Sequence, residues 1–331
     1  MGITMKDIAR EAGVSVATVS HVINKTKHVS AEKQRRILEV IGKLQYSPNI
    51  AAKNLKMQKT NTAGLVVSSF LDSYVTSIVN GVGNRARELG YNLLFVNTNE
   101  QQQYEEEAVR VLSSNAVDGM ILSPTTSNLR YLGNFLEKQL PIVFINRYDP
   151  HFPEIPRVTA DDFQAGYDAA FHLLGHGHTK IGLVLAVPNV TSTVNRIAGY
   201  KAALLEKGIS FDESLLEIGY ATVDGGLNAV KSLLKREPQI TALFTLSDLM
   251  TIGAVKALNQ LSLRCPEDIA IIGFGDFEAA AAMYPPITNV NPPHTIGQTA
   301  FDLLLNKMQN FKYTKHIQLP VSLIIRKSCG C

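Results

Sequence analysis

Residues 4–30, TMKDIAREAGVSVATVSHVINKTKHVS, carry apolar side chains at helical spacing on both sides of a glycine. Thr4 suits the N-cap of a first helix that runs to about Ala12. Gly13-Val14-Ser15 then predicts a tight turn, because glycine tolerates positive φ and Ser15 can cap the helix that follows. On that second helix Val19, Val22 and Ile23 fall at i, i+3 and i+4 and face inward, while Ala17, Ser20, His21 and Asn24 form an opposite stripe of small or polar side chains. Ile37, Val40, Ile41 and Leu44 give a third helix an apolar face that closes a three-helix core. The second helix is then free to enter a DNA major groove, where short polar side chains meet base edges.

The distribution of charge agrees. The first 60 residues hold 11 Lys/Arg against 4 Asp/Glu, and the remaining 271 hold 21 against 25. The whole-chain net charge of +3 therefore conceals a basic head on a mildly acidic body. Lys6, Lys25, Lys27, Lys33, Arg35 and Arg36 are placed to meet phosphates, which supplies affinity and register but little sequence information.

Composition excludes several classes. At 331 residues with 45% hydrophobic and 18% charged side chains, the chain is globular rather than disordered. It has no apolar run of the roughly 18 residues a bilayer span needs. MGITMKDIAREA lacks the apolar segment of a secretory leader, which predicts a cytoplasmic protein. Three cysteines make no disulfide framework, and Cys329-Gly-Cys331 reads as a reduced tail rather than a metal site.

After the head, short apolar runs alternate with amphipathic stretches. GLVVSS, YNLLFVNT, GMILSP and PIVFIN predict four buried strands, and IGLVLA, the region near EIGY, ALFTL and IAIIGFG predict a second set. This rhythm predicts an α/β body of two doubly wound parallel sheets, one lobe over about 63–160 and another over about 162–290. PVSLIIRKS is expected to cross back over the lobes. A ligand would sit between them, at loops following the carboxyl ends of strands.

The stretch 4–30, together with LQYSPNIAAKNLK at 44–56, resembles nearly position for position the headpiece of the lactose-repressor/galactose-repressor family of bacterial transcription regulators, in a pattern closest to the purine repressors. The resemblance continues through the body, which is similar to periplasmic sugar-binding proteins. It implies a helix-turn-helix domain over 1–48, a hinge helix and linker over 49–62, and a two-lobed effector-binding and dimerisation domain over 63–331. It implies DNA contacts from Thr4, Ser15, Val16, Ala17, Ser20, His21, Asn24, Lys27 and Tyr46. From the hinge, Leu55 would act as a minor-groove wedge with Lys56 beside it.

The same resemblance places effector contacts at Asp72, Ser73 and Tyr74 after the first strand, and at Arg147 after PIVFIN. It adds Ser192 and Arg196 around TVNRIAGYKAAL, and Asp161, Tyr220, Ser247, Asp276 and His294 on further loops. Asp161, Ser247 and Asp248 could equally be helix caps, and Asp276 could be structural. Two departures bear on the ligand. Val190 stands where purine-binding members carry an arginine, which disfavours a purine. Gly275 replaces the first Asp of the family's Gly-Phe-Asp-Asp motif. With Arg147 and Arg196 retained, that loss of a carboxylate points to a sugar acid or a phosphorylated sugar.

An enzyme would need converging reactive groups. His172, His176 and His178 form the one dense histidine run, but Gly175 and Gly177 should break the helix there, and a C-terminal cap is the expected role. No phosphate loop, dinucleotide fingerprint or nucleophile elbow occurs, so neither enzyme activity nor a cofactor is expected. The expected partners are double-stranded operator DNA, a small-molecule effector and a second copy of the chain, since no C-terminal leucine heptad is present to build a tetramer. The alternative is a catabolite-control type of global regulator whose corepressor is a phosphorylated carrier protein.

Overall fold

The computed structural model describes residues 3–24, 26–46, 59–114, 116–137 and 139–331. The chain divides into two units, Met1–Lys59 and Thr60–Cys331.

In the first unit, α1 (Met5–Ala12), α2 (Val16–Asn24) and α3 (Ala31–Lys43) surround a core of Ile8, Ala12, Val19, Val22, Ile37 and Val40. Thr4 opens α1, its backbone N–H and hydroxyl both donating to Asp7 Oδ2 at 2.9 and 2.6 Å. Gly13 closes it at φ 62°, the left-handed conformation a glycine adopts readily. The Val14 N–H then reaches back to the Ala9 carbonyl at 3.0 Å, which turns the chain sharply into α2. Ser15 caps α2 as its sequence implies, Oγ accepting from the Thr18 N–H at 3.1 Å.

The second unit holds two six-stranded sheets. The first contains β1 (Thr62–Val67), β2 (Asn92–Asn97), β3 (Gly119–Leu122), β4 (Ile142–Ile145), β5 (Arg157–Ala160) and β11 (His316–Leu319). The second contains β6 (Ile181–Leu185), β7 (Leu216–Ile218), β8 (Ala242–Thr245), β9 (Ala270–Phe274), β10 (Thr288–Asn291) and β12 (Ser322–Ile324). Their orders are β2-β1-β3-β4-β5-β11 and β7-β6-β8-β9-β10-β12, the same doubly wound plan used twice. All pairings are parallel except β10 with β12. In the first sheet Ala63 sits between Leu93 and Gly119, and in the second Leu183 pairs with Phe244.

Helices cover both faces of each sheet, as parallel strands require. Around the first sheet lie α4 (Ser73–Glu88), α5 (Gln102–Leu112), a single turn α6 (Gly133–Leu136) and α11 (Ile296–Gln309). Around the second lie α7 (Asp162–Gly175), α8 (Thr191–Glu206), α9 (Val223–Arg236) and α10 (Asp248–Gln260). The chain passes between lobes between β5 and α7, between β10 and α11, and between β11 and β12. The expected return of the last stretch takes the form of one added strand on each sheet.

One expectation needs correction. YNLLFVNT predicts a buried strand, but β2 lies at the sheet edge, with Leu94 43% and Phe95 40% exposed. An apolar run shows that a strand is present without showing how many neighbours it has.

Candidate functional site

On the headpiece, Val16 and Ala17 are exposed, and Ser20, His21 and Asn24 are partly exposed along the same face of α2. Two internal contacts hold that face in place. The Asn24 amide donates to the Ser20 carbonyl at 2.9 Å and to Ser20 Oγ at 3.2 Å, and His21 Nδ1 lies 2.8 Å from Thr26 Oγ1. Lys27 is exposed beyond the helix end, and Tyr46 packs partly against the core. Leu55 and Lys56 lie outside the described residues.

In the body, a cleft of about 470 Å³, counted to its open mouth, lies between the two lobes. Strand ends build it: Ser68 and Asp72 after β1, Glu100 after β2, Asn146 and Arg147 after β4, Ser247 after β8 and Phe274 at the end of β9. The first turns of α8 add Ser192, Thr193 and Arg196. Of the expected effector residues, Asp72, Tyr74, Arg147, Ser192, Arg196 and Ser247 line this space.

The remaining five stand apart from it. The Ser73 N–H donates to Asp248 Oδ2 across the lobes at 2.8 Å. Asp161 caps α7 through the Gln164 N–H, and Asp276 pairs with Arg326 at 2.7 Å. Tyr220 is 63% exposed, and His294 is exposed ahead of α11. Ser247 combines two roles, since it lines the cleft and also caps α10 through the Met250 N–H.

Each arginine of the cleft is already matched. Arg147 forks onto Glu100 with contacts of 2.7 and 2.9 Å. Arg196 meets Asp162 Oδ1 through Nε and Nη2 at 2.8 and 2.7 Å, and its Nη1 donates to the Leu246 carbonyl at 3.0 Å. The guanidinium also lies 3.3 Å from the centroid of the Phe274 ring. Gly166 and Gly199 make the Arg196–Asp162 geometry possible. A Cβ at either would run into backbone of the facing helix, at Arg196 or Phe163, so α7 and α8 approach too closely for any larger residue.

The carboxylates respond to burial. Asp72 caps α4, accepting from the Tyr74 and Val75 N–H groups at 2.9 and 3.2 Å. Burial, and then the neighbouring Asp248 carboxylate, push its pKa up to about 7. Burial likewise raises Asp162, against the pull of Arg196. Gly275 sits where an added Cβ would lie 3.7 Å from both Asp248 Cβ and Ser73 Oγ. The carboxylate missing from the family motif would therefore have joined a cluster already crowded with acid.

Further contacts bridge the lobes. The Tyr148 N–H donates to Thr191 Oγ1 at 3.1 Å, and the Ser127 hydroxyl donates to the Asn189 carbonyl at 2.9 Å. Tyr74 meets Phe274 edge-on with centroids 5.8 Å apart. Glu100, Asp162 and Phe274, with Ser68 and Thr193, are participants that sequence reasoning missed. Glu100 had a signal, as an acid just past a strand end. Asp162 was masked by Asp161, the better cap beside it.

Residues 4–49 match the bacterial regulatory proteins of the lacI family, and residues 60–327 match the periplasmic binding proteins and sugar-binding domain of the LacI family. The HTH-type transcriptional repressor PurR of Aliivibrio salmonicida (strain LFI1238) is 32% identical over 329 residues, covering 98% of each protein. A lac repressor dimer bound to operator and an anti-inducer is similar with a TM-score of 0.87 at 26% identity, covering 99% of both chains. A complex of the transcriptional regulator CelR with cellobiose is similar at 30% identity and a TM-score of 0.75, covering 98% of this chain and 99% of that one. The chain belongs to the LacI family of bacterial regulatory proteins. It is a DNA-binding transcriptional repressor with a small-molecule effector domain, and its relatives are regulators rather than enzymes. Among the described residues no helix is long and apolar enough to cross a membrane.

Proposed function

We propose that the chain is a cytoplasmic, non-enzymatic homodimeric repressor of carbohydrate-utilisation genes, and that a neutral, hydroxyl-rich sugar in the interlobe cleft sets its operator affinity. One observation carries the choice of ligand. Tyr74 Oη, Asn146 Oδ1 and Arg147 Nε are buried at the cleft, and no group among the described residues satisfies them. Such atoms cost free energy unless something fills the space and bonds to them, and a donor, an acceptor and a hydroxyl together suit sugar hydroxyls. The surplus of positive charge that would favour a sugar acid or sugar phosphate is cancelled by Glu100 and Asp162.

We divide the chain by role into a DNA-reading headpiece over 1–48, a hinge and linker over 49–62, and the effector and dimerisation body over 63–331. The face of α2 carrying Val16, Ala17, Ser20, His21 and Asn24 reads base edges, flanked by Thr4, Ser15, Lys27 and Tyr46. Leu55 and Lys56 act from the hinge. The exposed apolar edge of Phe70, Leu71, Leu94 and Phe95 offers a surface for a second copy. Two heads then meet a roughly palindromic operator. The sugar works through its different affinities for two lobe arrangements, which alter the spacing of the paired hinges. Ser73, Asp161, Tyr220, Asp276 and His294 act on the cleft through lobe contacts, caps and loops rather than through direct lining.

The test is a thermal-shift panel of neutral sugars, sugar acids, sugar phosphates and purines. A sugar at about 100 times its Kd should stabilise the body by roughly 2.7 kcal/mol. Response only to acids or phosphates would overturn the choice of ligand, and silence across the panel would shift weight to a protein corepressor.

A further inference from the structure

The histidine run at the end of α7 has a neighbour that its spacing did not suggest. The helix ends at Gly175 with His176 as its cap and Gly177 at φ 87°, and the His176 N–H reaches the His172 and Leu173 carbonyls at 3.3 and 3.1 Å. The two imidazoles thus lie one turn apart, tilted by 56° with centroids 4.8 Å from each other. The segment after β12 brings a third donor to the same place. Cys331 Sγ lies 3.1 Å from His176 Nε2 and 3.5 Å from His172 Nε2. All three donor atoms fall within 4.8 Å of one another.

The neighbouring residues deliver Cys331 there. Ser328 Oγ accepts from the Thr288 N–H at 2.8 Å and donates to the Ile271 carbonyl at 2.6 Å. The fully buried Cys329 thiol takes the Thr288 hydroxyl at 3.1 Å. The tail is thereby fastened to the second sheet and presents Cys331 outward, beside α7. A tetrahedral zinc ion with N and S ligands at about 2.0–2.1 and 2.3 Å would separate an N–S pair by roughly 3.6 Å, close to the spacing found. Two imidazoles and a thiolate select a borderline-soft ion rather than magnesium or calcium. His172 is partly buried while His176 and Cys331 are exposed, so an ion has a route in.

We propose that His172, His176 and Cys331 form a zinc-class site with one position left to water. On binding, the Cys331 thiol loses its proton to solvent and the sulfur bonds to the metal. The ion would clamp the returning tail to α7, the helix that enters the second lobe. It would therefore stabilise that lobe independently of any sugar.

Cobalt(II) titration of the full, reduced chain tests this. Expected are tetrahedral ligand-field bands and a near-ultraviolet thiolate-to-cobalt band, saturating at one equivalent per chain and bleached by zinc. Cys331→Ser should lose the near-ultraviolet band, and His172→Gln and His176→Gln should each weaken binding by about tenfold or more, a loss that even outer-shell partners produce. Zinc should raise the thermal midpoint of the parent chain and leave that of Cys331→Ser unmoved. No bands at excess cobalt, or identical bands in Cys331→Ser, would overturn the site.

Discussion

Replacing Arg196 by Met keeps a side chain of similar length but removes the guanidinium that lies over Phe274 and is the only cation paired with Asp162 among the described residues. The Asp162 side chain is 3% exposed, so the variant must leave a buried carboxylate unpaired or protonate it. Protonating a carboxyl of ordinary pKa near 3.9 at pH 7 costs about 4 kcal/mol, inside the roughly 3–5 kcal/mol typical of a broken buried pair. At pH 5 the same step costs only about 1.5 kcal/mol. The midpoint of Arg196→Met should therefore fall by roughly 8–16 °C at pH 7 and by much less at pH 5. Asp162→Asn with Arg196→Met removes both charges, and should lie well above the sum of the two single losses in a double-mutant cycle. Thermal and urea unfolding of the four proteins at both pH values supply the readout. A loss under about 1 kcal/mol at pH 7, or one that does not shrink at pH 5, would refute the reading of Arg196 as one half of a buried pair.

Three further outcomes follow from the geometry. Asp72 has a folded pKa raised to about 7, so the folded state holds the extra proton between pH 4 and 7, and stability falls as pH rises through that window by up to about 1.4 kcal/mol per unit. Asp72→Asn keeps the cap on α4 and should flatten that slope in urea titrations from pH 5 to 8; an unchanged slope would assign it to other groups. Tyr74→Phe removes a buried hydroxyl that has no partner among the described residues, so stability should hold or rise while sugar affinity drops about 3- to 10-fold; a clear loss of stability without ligand would contradict this. His21→Ala should lower discrimination between operator and single-base variants by about 1–3 kcal/mol, whereas equal weakening on every sequence would make it a phosphate contact.

The periodic features were legible because they depend on near neighbours in the chain. Val19, Val22, Ile37 and Val40 announce the headpiece core by spacing alone, and GMILSP and PIVFIN announce central strands by continuous apolar character. YNLLFVNT reads the same way yet lies at an edge, since strand order is set by crossovers that a local pattern does not encode. The end of α7 was legible for the same reason as the headpiece core. Gly175 is the last helical residue, His176 caps it and Gly177 takes the left-handed conformation at φ 87°, whereas Cys331, which joins His172 and His176, lies too far along the chain for a local pattern to show.

The arginines of the cleft show where local reading stops altogether. Resemblance picked out Arg147 and Arg196, and both line the cleft, but an arginine's effect on a ligand depends on its partner. Glu100 lies 47 residues before Arg147, and Asp162 lies 34 before Arg196. Only the sheet order and the close approach of α7 and α8 bring them together. Counting arginines gave a site primed for an anion. Counting pairs gives a nearly neutral one, in which Tyr74, Asn146 and Arg147 Nε carry the remaining hydrogen-bonding capacity. An unsatisfied polar atom in a cleft is therefore better evidence of ligand chemistry than a charged residue, because the protein has already used the charge.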